Sequence, residues 1–268
     1  MGIFAEVWSQ RNCTCPNRHE KDFPMPQSPF TSSYRRSEEL DLASYNTDKI
    51  NNHYLERYDP FFSPLADQPI SMLELGIWKG GSLRLWRDYF PEGNIVGVDM
   101  VLRPGVVNEE RITVHQGSQS DGPFLQQLAQ QHAPEGFDII IDDAAHVGAL
   151  AKASFDALFE KHLKPGGWYI IEDWPTGYFE DWGDGISIHR KPTLLNRLGR
   201  RLARWGYAGL KRPWISHNYG MVGFIKQLVD EQSAFDASRG GLHLPPTRET
   251  PFESMTITPS IVFIKKKK

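Results

Sequence analysis

Five short apolar runs, spaced so that helix-length patterns fit between most of them, constrain this chain more than any other feature. They lie at 71–75, 94–98, 112–115, 137–141 and 168–171, with helical patterns at 82–89, 123–132 and 150–162. Strands that are apolar nearly throughout, rather than at alternate positions, are covered on both faces, and their alternation with helices predicts an α/β doubly wound parallel sheet. A final pair of runs at 255–258 and 261–264, joined by Pro259-Ser260, reads as a closing hairpin. With 40% hydrophobic residues in 268, the chain has enough apolar material for one substantial core plus an arm or lid.

The rest of the chain is organised around that sheet. Residues from about Asn12 to Arg36 are rich in Pro, Ser and Asn without sustained periodicity, and 1–37 are expected to form a loosely ordered arm before a domain spanning 38–268. The stretch 38–64 reads as helical. Residues 174–217 are too long for an ordinary connection and are expected to form a lid or substrate-recognition insertion. Within it Leu194, Leu195, Leu198, Leu202 and Trp205 share a helical face opposite Arg197, Arg200, Arg201 and Arg204, a pattern open to two readings: a packed lid helix or a membrane-surface helix.

Charge and cysteine content exclude several classes. Thirty Lys+Arg against 33 Asp+Glu leave a net charge of −3, so no overall field draws the chain to nucleic acid, and any such contact would need the local Arg197 to Arg212 patch. Cys13 and Cys15 are the whole cysteine content and cannot complete a four-thiolate zinc site. The first residues lack the apolar core of a secretory signal, and no run approaches the ~20 apolar residues of a membrane span. A cytoplasmic, reducing location is expected.

In an open α/β sheet, ligands bind beyond the carboxyl ends of the strands, and acids recur there: Glu74 in the first strand, Asp99 after the second, Asp142-Asp143 after the fourth, Glu172-Asp173 after the fifth. Acids make up 33 of the 268 residues, too few for that placement to be expected without a role at the rim. The first turn, Gly76-Ile77-Trp78-Lys79-Gly80-Gly81-Ser82, lets backbone approach a ligand and offers Ser82 as a helix cap, but it lacks the G-x-G-x-x-G spacing of dinucleotide enzymes. Asp99 is placed to accept from ribose hydroxyls.

Asp142-Asp143-Ala144-Ala145-His146, set beside Glu172-Asp173, allows carboxylates to converge on a hard cation such as Mg²⁺, with Mn²⁺ as the alternative, and offers His146 as a base. A helix cap at Asp142 and an ordinary loop histidine would leave the same residues.

Taken together, Tyr45-Asn46-Thr47-Asp48-Lys49 with His53, Leu73-Glu74-Leu75-Gly76 with Gly80-Gly81-Ser82, Gln116-Gly117-Ser118-Gln119-Ser120-Asp121, Asp142-Asp143 with His146, and Ile171-Glu172-Asp173 resemble class I S-adenosylmethionine-dependent methyltransferases. More narrowly they resemble the metal-dependent sugar O-methyltransferases of macrolide biosynthesis, of the mycinamicin and tylosin type. The resemblance implies a Rossmann-like sheet of seven strands with an antiparallel closing strand, binding S-adenosylmethionine over the first two strand ends and magnesium beside its methyl group. It implies Asp143, Glu172 and Asp173 as metal ligands, with Asp143 and His146 at the catalytic centre and His146 as general base. Glu74, Gly76, Ser82 and Asp99 would line the cofactor site, Gln119 and Ser120 would lie near the adenine, and Tyr45, Thr47 and Lys49 would close over the methionine end or the substrate. Ala144-Ala145 departs from the Gly-Ser usual before the histidine.

The implied reaction is O-methylation of a small-molecule hydroxyl, with a glycoside as acceptor and partner, no nucleic acid, and a homo-oligomeric state. The rivals are a metal-free methyltransferase and a silent binding protein. An iron oxygenase of the facial-triad kind is disfavoured because no His is followed at the second position by Asp or Glu.

Overall fold

A computed structural model describes residues 34–179, 182–185, 217–234 and 249–268. The arm up to residue 33 and the leucine and arginine helix face from Leu194 to Trp205 lie outside the described residues.

The described elements run α1 (Asp48–Asn51), α2 (Leu55–Phe62), β1 (Ser71–Leu75), α3 (Gly81–Tyr89), β2 (Asn94–Asp99), β3 (Ile112–Gln116), α4 (Gly122–His132), β4 (Phe137–Asp142), α5 (Gly148–His162), β5 (Leu163–Glu172), α6 (Gly220–Gln232), β6 (Phe252–Ile257) and β7 (Ile261–Lys266). Seven strands form one sheet in the order β3-β2-β1-β4-β5-β7-β6. The first five pair in parallel, while β7 runs antiparallel to β5 and β6 antiparallel to β7. The order reverses at β1, so the rim beyond β1 and β4 is the topological switch point where ligands of open sheets bind.

The apolar runs are buried on both faces, as the sequence requires. In β4, Ile139 and Ile141 join Met72, Trp86, Tyr89, Phe90 and Phe263 in a core under α2 and α3, while Ile140 joins Leu73, Phe155, Leu158 and Phe224 under α4, α5 and α6. Fully burying side chains of this size stabilises by roughly 1.5–3 kcal/mol each.

Two expectations need correction. β5 begins at Leu163, five residues before the apolar run, because a register shift against Phe137 and Ile139 accommodates Lys164-Pro165-Gly166-Gly167. Lys164 Nζ secures that irregularity on the Asp138 carboxylate at 2.8 and 3.0 Å. The stretch 38–64, read as helical, is broken into short 3₁₀ and α pieces, with Pro60 inside α2. Ser37 is buried and donates through both N–H and Oγ to Asp59, which ties the chain before these pieces to α2.

One close approach binds these short pieces to the sheet. A Cβ on Gly81, at the start of α3, would stand 2.0 Å from the carbonyl oxygen of Asn46. Alanine ordinarily favours a helix over glycine by up to ~1 kcal/mol, but here the clash dominates. Gly81→Ala is expected to lower the unfolding free energy by about 1–3 kcal/mol in urea denaturation; a gain in stability would show that the 46–49 segment is free to yield.

Candidate active site

The site is assembled where the β1 and β4 ends meet. Gly76 adopts φ +86°, and a Cβ there would lie 2.2 Å from the carbonyl oxygen of Asp143, so only glycine lets the two loops touch. Asp143 N–H donates to the Leu75 carbonyl at 2.8 Å, extending the parallel ladder one step beyond the strands and fixing the backbone at 143.

Onto this rim the short helix α1 delivers a lysine. Thr47 Oγ1 accepts from Lys49 N–H at 3.3 Å and caps the helix, and the Lys49 side chain is fully buried. Its ammonium stands 2.7 Å from Asp143 Oδ2, 2.7 Å from Glu172 Oε1 and 3.3 Å from Glu74 Oε1. Desolvation works against the charged lysine, but Asp143, Glu172 and Glu74 outweigh it and hold Lys49 well above its ordinary pKa. One ammonium faces three carboxylates, of which Glu74 and Glu172 are buried and Asp143 is partly exposed. Burial accordingly pushes Asp143 up to about 7 against the pull of Lys49, and burial followed by the charge of Asp143 pushes Glu172 up to about 8. The cluster is short of positive charge.

The second half of the site faces outward. Asp143 Oδ1 and Asp173 Oδ2 each lie 3.8 Å from His146 Nε2, and one donor atom from each residue falls within 4.8 Å of the others. His146 and Asp173 achieve this through left-handed backbone, at φ +50° and +53°, each costing of order 1–3 kcal/mol and typical of functional sites. Trp182 packs edge-on against the imidazole at 5.4 Å between centroids, and Thr176 Oγ1 donates to the His146 and Asp173 carbonyls at 3.3 and 2.8 Å. His146 Nδ1 is buried with no protein partner.

The Asp143 and Asp173 carboxylate oxygens fit a hard divalent cation, with His146 Nε2 facing both as a free base, while Glu172 lies outside this group on Lys49. Asp143 links the halves, with Oδ2 on Lys49 and Oδ1 facing His146.

The other expected residues lie around this set. Glu74 is fully buried beneath the glycine turn, accepting from Ser82 Oγ at 2.7 Å and Trp86 Nε1 at 3.3 Å. Ser82 is therefore not the helix cap anticipated from sequence: the capping position is Gly80, and the Ser82 hydroxyl serves the buried acid instead. Asp99 holds the turn, with Oδ2 accepting from Ile77 and Trp78 N–H at 3.1 and 3.0 Å and Oδ1 from Val101 N–H at 3.2 Å. Gln119 orients the acidic loop, donating to Asp142 at 3.0 Å and accepting from Ala145 N–H at 2.8 Å, while Ser120 lies 3.0 Å from Ser118. Asp142 is buried on Gln119 and Ser154 and takes no place among the outward-facing donors.

Tyr45 donates to Asp88 at 2.8 Å, with its own hydroxyl pushed up to about 12 by burial. His53 is exposed beside Glu56. Sequence reading missed Tyr54 and Tyr58, whose hydroxyls donate to Asp173 Oδ1 and Glu172 Oε1. Their four-residue spacing at the start of α2 was the available signal.

The sheet order and this rim give the chain the class I S-adenosylmethionine-dependent methyltransferase fold. Its relatives are sugar O-methyltransferases of natural-product pathways. It is 39% identical over 159 residues to the mycinamicin VI 2''-O-methyltransferase of Micromonospora griseorubida, covering 56% of this chain and 39% of that one. It is 44% identical over 137 residues, 48% of this chain and 34% of the relative, to the 8-demethyl-8-(2-methoxy-alpha-L-rhamnosyl)-tetracenomycin-C 3'-O-methyltransferase of Streptomyces olivaceus. Among solved structures it is similar to the MycE methyltransferase of the mycinamycin biosynthetic pathway in complex with Mg, SAH and mycinamycin VI, with a TM-score of 0.60 and 30% identity, covering 88% of this chain and 55% of that chain. No family model matches the chain. It spans between about a third and just over half the length of these proteins.

Removing the buried ammonium leaves the carboxylates unbalanced. Lys49→Met is expected to lower the unfolding free energy by about 3–5 kcal/mol in urea denaturation. The same change at Lys152, which pairs with Asp156 on the exposed face of α5, is expected to stay within about 0.5 kcal/mol.

Proposed function

We propose that this chain is an S-adenosylmethionine-dependent, divalent-metal-assisted O-methyltransferase whose acceptor is a hydroxyl of a small molecule, most naturally a sugar of a glycosylated natural product. The observation that carries the reading is the meeting of Asp143, His146 and Asp173 at the sheet's switch point, beside the glycine turn that follows β1. Kinship to enzymes whose names specify sugar methylation, and to a structure holding Mg, SAH and a macrolide glycoside, supports the acceptor class.

In this reading Asp143 and Asp173 hold the cation, with Glu172 completing the set from beside Lys49. When bound, the cation supplies positive charge that makes loss of an acceptor hydroxyl's proton easier. S-Adenosylmethionine, when bound, supplies a methyl carbon whose bond to sulfur breaks, the electron pair staying on sulfur, as the acceptor oxygen bonds to it. His146 Nε2 takes the acceptor proton, a role its position facing both acids suits, since they stabilise the imidazolium that forms. Trp182 covers one edge of the imidazole and limits water there. Gly76 keeps side chains from between the β1 turn and Asp143, and Asp99 fixes the turn through the Ile77 and Trp78 amides, leaving its remaining acceptor capacity for ribose hydroxyls. Gln119 and Ser120 edge the adenine side, while Tyr45 and Thr47 support the segment carrying Lys49.

A metal-independent transfer is the second reading, favoured by one observation: Lys49 already places a cation on Asp143 and Glu172. No described helix is long and apolar enough to cross a membrane. The cytoplasmic location, the homo-oligomeric state and the division into an arm at 1–37 and a domain at 38–268 with a lid at 174–217 belong to the same proposal.

Two outcomes test it. Methyl transfer from S-adenosylmethionine to a panel of deoxysugar and rhamnosyl glycosides should require Mg²⁺ or Mn²⁺ and be abolished by chelation; transfer that survives chelation selects the metal-independent reading, and failure to bind S-adenosylhomocysteine in calorimetry contradicts both. His146→Ala should lower kcat by roughly 10²–10⁴-fold with S-adenosylhomocysteine affinity unchanged; unaltered turnover would remove His146 from the chemistry.

A further inference from the structure

Two tyrosines outside the donor set are tied to its acids. Tyr54 immediately precedes α2, already in helical backbone at φ −71° and ψ −30°, and Tyr58 follows four residues later. That spacing sets both side chains on one face of the helix, one above the other. The acids they meet are consecutive: Tyr58 Oη donates to Glu172 Oε1 and Tyr54 Oη to Asp173 Oδ1.

Consecutive residues of an extended strand point to opposite faces. For Glu172 and Asp173 to meet the same helix face, the alternation must break, and it breaks at Asp173 with φ +53°. Aspartate tolerates this conformation better than most residues but still at a cost relative to an extended one, so partners are needed to keep the carboxylate in place. Tyr54 occupies Oδ1 and leaves Oδ2 facing His146 Nε2 at 3.8 Å. The Tyr58 ring is fixed between Phe62 at 4.8 Å, Trp86 at 5.0 Å and Phe263 at 5.4 Å, so its hydroxyl is a rigid anchor for the oxygen that also receives Lys49.

We propose that Tyr54 and Tyr58 are positioning residues for a divalent cation, a pair on α2 that holds one oxygen of each of two successive carboxylates and so presents Asp173 Oδ2 outward, ready for the ion. The inference rests on the metal-assisted reading above. Donation by Tyr54 also withdraws some negative charge from Asp173, which alone would loosen the ion. Orientation outweighs this, because a carboxylate on strained backbone that loses its tether must be ordered again when the ion binds.

The test is Mn²⁺ titration of the full chain, followed by the loss of the free-ion electron paramagnetic resonance signal, for wild type, Tyr54→Phe and Tyr58→Phe. Each substitution removes one hydroxyl and keeps the ring. S-Adenosylhomocysteine affinity in the same preparations reports that the fold and the nucleoside side of the site are intact. Tyr54→Phe should bind Mn²⁺ about 10- to 100-fold more weakly with unchanged nucleoside affinity, the range outer partners of metal ligands usually command. Tyr58→Phe should lose less, since Lys49 still holds Glu172 Oε1. Wild-type affinity in Tyr54→Phe, or tighter binding, would overturn the positioning role while leaving the metal-assisted reading intact. Wild type that binds S-adenosylhomocysteine but no Mn²⁺ would overturn both. If Tyr54→Phe fails the nucleoside control, Tyr58→Phe decides, and full Mn²⁺ affinity there counts against the proposal.

Discussion

A lysine ammonium buried among Glu74, Asp143 and Glu172 is the interaction on which the rest of the rim depends. Bringing these acids together without it would strand charges away from water at a cost of several kcal/mol per ion. Its presence lets the glycine turn of β1, the acidic loop after β4 and the end of β5 share one small volume. Three carboxylates still exceed one cation, and the excess leaves the outward face of Asp143, with His146 and Asp173, electrostatically receptive to a divalent ion. Lys49 comes from the short helices before the sheet, so those pieces are part of the site rather than a prelude to the fold.

The division between parts legible in the sequence and parts that were not follows from where the interactions lie along the chain. The parallel strands were readable because Ile139, Ile140 and Ile141 must be covered on both faces, and the closing hairpin because Pro259-Ser260 separates two apolar runs. The early start of β5 was hidden because Pro165-Gly166-Gly167 signals a break locally, and only pairing with β4 carries the strand through it. Asp143, His146 and Asp173 could be singled out from strand-end position. Lys49, 94 residues from Asp143, could be named only from resemblance, and its role as a shared counter-ion is a long-range fact. Ser82 and Gln119 show the same limit: the sequence offered Ser82 as a cap, whereas its hydroxyl serves Glu74, and it gave no sign that Gln119 ties Asp142 to Ala145. Tyr54 and Tyr58 have a helical spacing that packing alone would explain, and their partners are over a hundred residues away.

The coverage of the relatives shapes what the chain can be asked to do. Its similarity lies within roughly a third to a half of the sugar O-methyltransferases it matches, and the described residues include a seven-stranded sheet and the acidic rim. Chemistry at the rim is therefore argued from this chain's own side chains. Acceptor choice depends on surfaces around that rim, and Trp182 on His146 shows that the stretch after β5 reaches the reacting centre.

The most direct measurement is a crystal structure of the protein grown with Mn²⁺, with the ion located by anomalous scattering. An anomalous peak within coordination distance of the Asp143 and Asp173 carboxylates, with Lys49 still on Asp143 Oδ2, is the predicted result. A peak elsewhere with this rim empty, or a rim in which Lys49 alone satisfies every acid under saturating Mn²⁺, would contradict the account.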